Sequence, residues 1–201
     1  MRNLFIATLL FITAIFQTNA QKKTQNNPSN NSQNNSQTAC ISADEYKLYE
    51  LIMKYRASKG LAKIPLSASL TFVAQTHCKD MTANPPVAPC NMHSWSNKGT
   101  WTACCYTPDH KQAAGMWSKP KELTSYQGNG YEISHGAWGY SLTPASALEG
   151  WKNSSGHNAV MINAGIWKDA WNAIGIGMVG GYAVVWFGHE KDEAGEIKVC
   201  K

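Results

Sequence analysis

Near the end of the chain two runs of alternating apolar residues, AIGIGMV and YAVVWFG, flank the dipeptide Gly180-Gly181. Ile174, Ile176 and Met178 recur at every second position before the glycines, and Tyr182, Val184 and Trp186 do so after them. A period of two puts alternate side chains on one face of a strand, and Gly-Gly supplies the left-handed backbone of a two-residue turn. The pattern predicts an antiparallel hairpin.

Helix signals precede it. In ISADEYKLYELIMKYRASKG, Ser42 and Glu45 have capping-box spacing, Leu48, Ile52 and Tyr55 share a face, and Gly60 is a stop. SASLTFVAQTHCKDMTA lines up Leu70, Val73, Ala74, His77 and Met81 before Pro85 and Pro86, so His77 reads as a packed helix residue rather than a ligand. LTPASALEGWKN starts a third helix with Thr143 as cap and Pro144 in the first turn. The stretch from Asn84 to Tyr126, with three cysteines and three tryptophans, reads as loop-rich. Helices early and strands late imply an α+β fold, a three-layer α-β-α sandwich around an antiparallel sheet, rather than a parallel α/β fold.

The first 20 residues, MRNLFIATLLFITAIFQTNA, have one arginine, an apolar run from Leu4 to Phe16 and a small residue at Ala20. That is the layout of a signal peptide, and the run is shorter than the ~20 apolar residues of a bilayer span. Residues 21–39 are nearly all Gln, Asn, Ser and Thr, a composition that cannot bury enough apolar surface to order itself and reads as a tether. The folded domain is expected over 40–201, in a secreted protein with no transmembrane segment after signal cleavage. Beyond the tether the balance is 15 basic against 13 acidic residues, a net of +2. No cluster of Lys and Arg alternates with stacking aromatics, which excludes a nucleic-acid footprint.

All six cysteines lie in this domain: Cys40, Cys78, Cys90, Cys104, Cys105 and Cys200. An even count in an exported chain implies disulfides and no free thiol, with 15 connectivities open. Adjacent Cys104 and Cys105 look toward different partners. The pairing expected is Cys40 with Cys200, with Cys78 and Cys90 tied to the adjacent pair.

HSWS at His93–Ser96, GNGYEIS around Glu132, WKNSSGHNAVMI and IGIGMVGGYAVVWFG stand in this order along the chain. Together with Tyr55-Arg56 ahead of Gly60-Leu61 and Pro65-Leu66, they resemble the CAP superfamily of cysteine-rich secretory, antigen 5 and pathogenesis-related 1 proteins, over about 44–188. The resemblance implies an α-β-α sandwich with an open cleft lined by two histidines and acidic residues, in which some members hold a divalent metal, often zinc. His93 and His157 match the two histidines, and Glu132 matches the acid of a G-E-N motif, with Tyr131 where Gly is usual and Ile133 where Asn is usual. The second acid has no counterpart, because Lys152, Asn153 and Ser154 follow Trp151; Glu149 is the nearby candidate. CCYTPDH resembles a C-x-Y-x-P motif of the family but stands in the wrong order and reads as coincidence.

His157 falls at a predicted helix start, where the partial positive charge favours a neutral ring able to accept a metal. His93, in its Cys- and Trp-rich loop, is either such a ligand or a structural hydrogen-bond donor. Two imidazoles leave positions open on tetrahedral zinc, so a metal there would be weakly held and keep water. Glu132 could orient that water or hydrogen-bond a ring from outside the ligand set. His110, His135 and His189 default to the surface, and no serine-hydrolase context such as G-x-S-x-G is present. Two function classes follow. One is an extracellular binding module for a lipid, glycan, peptide or protein with the metal as modulator; the other is a metal-assisted, protease-like hydrolase with Glu132 as general base. The weak constellation favours the first.

Overall fold

The hairpin forms where the glycines demand it. In this computed structural model, which describes residues 40–201, Gly180 (φ 60°) and Gly181 (φ 90°) make the left-handed turn between strands Ala173–Val179 and Tyr182–Gly188. The expected signal segment and tether, 1–39, lie outside the described residues. No helix among the described residues is long and apolar enough to cross a membrane.

In chain order the elements are β1 (Cys40–Ile41), α1 (Ala43–Ala57), α2 (Ala68–Ala83), α3 (Ala113–Trp117), α4 (Lys119–Leu123), β2 (Gly130–Gly136), α5 (Pro144–Lys152), α6 (Ser155–Met161), a 3-10 turn (Gly165–Trp167), β3 (Ala173–Val179), β4 (Tyr182–Gly188) and β5 (Lys198–Val199). The sheet is antiparallel in the order β2-β4-β3, so β2 is an edge strand. A separate parallel pair joins β1 to β5. Ser42 and Glu45 close the expected capping box on α1, and Thr143 caps α5. The loop-rich stretch differs from its reading by containing the short helices α3 and α4, which are too brief to show a periodic pattern.

Helices cover both faces of the sheet, which gives the α-β-α sandwich. On one face Leu48 and Ile52 of α1, Ala147 and Trp151 of α5 and Met161 of α6 pack on Ile133, Ile176, Val185 and Phe187. On the other, Leu70, Val73 and Met81 of α2 meet Tyr182, Val184 and Trp186. The glycines of IGIG set this second spacing. A Cβ on Gly175 would stand 2.0 Å from the carbonyl carbon of Leu70, and one on Gly177 would stand 2.4 Å from that of Ala74, so α2 lies backbone against strand.

Two disulfides form, Cys40–Cys200 and Cys90–Cys105. The expectation that Cys78 and Cys104 are also paired is corrected, since both are free and buried. Cys78 faces the sheet from α2, its Sγ 3.7 Å from the Tyr182 carbonyl. Cys104 pairs antiparallel with Trp95, and in such an extended segment neighbouring side chains point oppositely. Cys105 therefore reaches out to Cys90, while Cys104 points into the core.

Denatured but unreduced protein will thus label at two thiols, Cys78 and Cys104, and native protein will label slowly at both; a modified Cys90 or Cys105 would contradict the pairing. Gly177→Ala is expected to lower the unfolding free energy by about 1–3 kcal/mol, the usual range for overpacking. Gly156→Ala, with open space around its Cβ, should leave it nearly unchanged in the same urea titration.

Candidate functional site

Alternation along β2 decides where Glu132 points. Ile133 faces the α1 side of the sheet, so Glu132, paired with Trp186 on β4, faces the α2 side. There His77, one of the buried stripe residues of α2, brings Nδ1 to 2.5 Å from Glu132 Oε2. His93 brings its own Nδ1 to 2.7 Å from Glu132 Oε1. The carboxylate is completely buried, and each oxygen accepts from one imidazole.

The loop holding His93 is braced from several sides. The Asn91 side chain accepts from the His93 amide, and the Asn91 amide donates to the Tyr106 carbonyl. The Trp95–Cys104 pairing and the Asp80 carboxylate, which accepts from the Ser96 amide and hydroxyl, fix the next turn. His157 lies in the first turn of α6, which Tyr55 ties to α1 through a hydrogen bond to Asn158. The rings of His93 and His157 approach to 6.2 Å between centroids.

His93, Glu132 and His157 line one cavity of about 520 Å³. Ring contacts group Tyr106 and His110 with His93 and His157 as a polar side, and Trp117 and Trp167 with Tyr131 as an apolar side. Tyr131 anchors that side, its ring 5.5 Å from Trp117 and 5.1 Å from Trp167. This explains the unusual Tyr and Ile around Glu132: both occupy a strand, Ile133 in the core and Tyr131 in the aromatic wall.

Burial alone would raise the Glu132 pKa, but the charge and hydrogen bond of His77, then those of His93, pull it down to about 2. Burial opposes charging of His77, yet Glu132 and the Ser94 carbonyl outweigh it and raise its pKa. His157 is pushed down to about 4, first by burial and then by His93 and His135.

The sequence expectations meet this geometry unevenly. Glu149 is corrected: it does not line the cavity but sits on the exposed side of α5, paired with Lys152 at 2.7 Å. His77, expected to be merely packed, holds Glu132; a histidine on a buried helix stripe needs polar partners, which was the signal available. His110 is exposed as expected, and it also takes part in the cavity wall, its Nδ1 2.8 Å from the Tyr106 hydroxyl. His189 stacks on Trp171 at 4.3 Å, and His135 lies against the Gly150 backbone, so neither is a plain surface group.

As donors for a metal, the cleft offers His157 and the Nε2 of His93. Both Glu132 oxygens are already engaged, and no group of three or more His, Cys, Asp or Glu among the described residues is arranged to hold an ion. The residues fit an open two-imidazole site completed by solvent and exclude a closed protein cage.

A model of the cysteine-rich secretory protein family, CAP, matches residues 49–184. No curated protein matches the chain significantly. Among solved structures, an extracellular protein containing an SCP domain from Bacillus anthracis is similar with a TM-score of 0.51 at 18% identity, over 73% of this chain and 40% of that one. A cysteine-rich secretory protein from Staphylococcus aureus is similar with a TM-score of 0.47 at 16% identity, over 73% of this chain and 38% of that one. An outer surface protein from Borrelia burgdorferi gives 0.49 at 19% identity, over 74% and 93%. The chain thus spans less than half the length of the first two.

The depressed His157 pKa carries a pH dependence. Between its ordinary value of 6.5 and about 4 the unfolded chain binds the proton and the folded one does not, so this group makes stability fall as pH drops through that window. Chemical denaturation across pH 4 to 7 should show the loss, and His157→Gln should flatten its slope; an unchanged slope would remove His157 as the cause.

Proposed function

Because the chain belongs to the cysteine-rich secretory protein (CAP) family, with the family model covering 49–184, we propose that it acts outside the cell as a binding module whose cleft takes an uncharged ligand with one apolar face, from the lipid, glycan or peptide classes or the surface of a protein. The observation that carries this is the two-sided cavity. Trp117, Tyr131 and Trp167 offer aromatic surface on one side, and His93, Tyr106 and His157 offer hydrogen-bonding groups on the other. No lysine or arginine is among its lining residues, and the Glu132 charge is already matched from within the protein. Neither an anionic nor a cationic ligand finds a free counter-charge there. The two disulfides suit an oxidising compartment, as does the signal-like start of the chain.

A divalent cation such as zinc is proposed as a modulator, held by His93 and His157 and supplying an electrophilic contact for a ligand oxygen. The hydrolase reading is weaker. A general base needs an oxygen free to take a proton, and both Glu132 oxygens already accept imidazole N–H groups while its basicity is suppressed.

Titration of the protein with a neutral single-chain lipid, a neutral oligosaccharide and an apolar peptide, read by the indole NMR signals of Trp117 and Trp167, should show saturable shifts with one class. Trp167→Ala is expected to weaken that binding at least tenfold, which is about 1.4 kcal/mol. Binding by none of the three would remove the reading, and peptide hydrolysis abolished by Glu132→Gln would restore the alternative. For the metal, calorimetric zinc titration should show weak binding that fades toward mildly acidic pH, because the rings must be neutral to coordinate. His93→Ala and His157→Ala should each lose it; a variant that binds as well as wild type would show that the pair is not the site.

A further inference from the structure

His77 touches no part of the cavity, yet its two hydrogen bonds decide what the cavity presents. We propose that His77 is a resident buried cation, an imidazolium protonated on both nitrogens, acting as a positioning residue: it holds Glu132 as the carboxylate and so fixes His93 with its proton on Nδ1 and the Nε2 lone pair turned to the cleft.

The argument starts from donors and acceptors. His77 Nε2 is 2.8 Å from the carbonyl oxygen of Ser94, which can only accept, so that nitrogen carries a proton. His77 Nδ1 is 2.5 Å from Glu132 Oε2, and two lone pairs cannot face each other at that distance, so a proton lies in this contact as well. Placed on nitrogen it makes an ion pair; placed on oxygen it makes a neutral acid beside a neutral ring.

Two contacts favour the ion pair. Glu132 also accepts from His93 Nδ1 at 2.7 Å, and a second donor stabilises a carboxylate more than a carboxylic acid. The His77 ring lies flat on the indole of Trp95, with centroids 4.3 Å apart and planes 8° from parallel, and the negative face of an indole attracts a cation. Among the other charged groups around it, Asp80 on the same helix adds attraction. Lys119 opposes it from α4, its Nζ 5.6 Å from the Trp95 centroid, but that ammonium is itself paired with Glu122.

The consequence falls on His93. A buried carboxylate requires a counter-charge, and with His77 supplying it His93 remains a neutral donor through Nδ1. Its Nε2 is then an acceptor or a ligand atom on the side of the ring left free by Glu132. Were His77 uncharged, His93 would be the remaining group able to balance Glu132, and a proton on Nε2 would turn that acceptor into a donor. The hydrogen-bonding sense of the cleft is thus set from α2, behind the sheet face. This holds whichever ligand the cleft takes.

Nitrogen-15 NMR of the histidine rings of the wild-type protein, at a single neutral pH and without added metal or ligand, tests it. The expected pattern is protonation of both His77 nitrogens, with His93 protonated on Nδ1 and bare on Nε2. A bare nitrogen on His77, or a His93 protonated on Nε2, overturns the proposal. His77→Gln keeps a donor toward Glu132 but removes the charge, and in the folded variant, verified by cooperative thermal unfolding, the bare Nε2 signal of His93 should be lost. Retention of that signal in folded His77→Gln would show that His77 is structural only, and if the variant does not fold the wild-type pattern decides alone.

Discussion

The Glu132 carboxylate, enclosed by protein and held by two imidazoles, is the contact on which the arrangement of this domain turns. An ionised carboxylate out of water is costly unless charge and hydrogen bonds replace its hydration, and removing one partner of a buried pair leaves that cost uncompensated. Here the replacement comes from two different parts of the chain, His77 on α2 and His93 in the long loop. Sheet, helix and loop therefore have to assemble together for the charge to be tolerated. The same contact that would be a liability in an incomplete structure gives the cleft its back wall and sets its polar side.

The sheet makes that assembly possible by being uneven. Where Gly175 and Gly177 leave β3 without side chains, α2 comes down onto the strand, and His77 comes down with it, close enough to reach β2. On the opposite face no such gaps exist, and α1, α5 and α6 stand off on a layer of Ile, Val, Phe and Trp side chains. The cleft lies at β2, one of the sheet's two edge strands, which contributes Tyr131 and Glu132 to its lining. The aromatic wall occupies that edge.

The two disulfides act away from the cleft's chemistry but close to its supports. Cys40–Cys200 joins residues 160 apart and ties the first strand to the last. In the chain-entropy account a loop of that length restricts the unfolded chain by on the order of 5 kcal/mol. Cys90–Cys105 closes a short loop that contains His93 and the Trp95–Cys104 pairing. It limits how far the His93 loop can move from Glu132, which suits a group that must stay in register with a buried partner.

What the sequence determined by itself is whatever neighbouring residues decide. The capping box at Ser42, the cap at Thr143, the apolar stripe of α2, the Gly-Gly turn and the alternation of β3 and β4 are local, and each was legible because its energetics involve residues a few positions apart. His93, Glu132 and His157 were legible for another reason, a motif order resembling a family. Tertiary structure alone decided the rest. Glu149 could be read as near the cleft until the pitch of α5 turned it to solvent. Cys104 and Cys105 are equivalent in sequence, and only the pairing with Trp95 sends one inward without a partner and the other outward to Cys90. The role of His77 was hidden because its partner lies 55 residues away, and no local pattern records which carboxylate a buried ring will meet once a helix has settled onto a sheet.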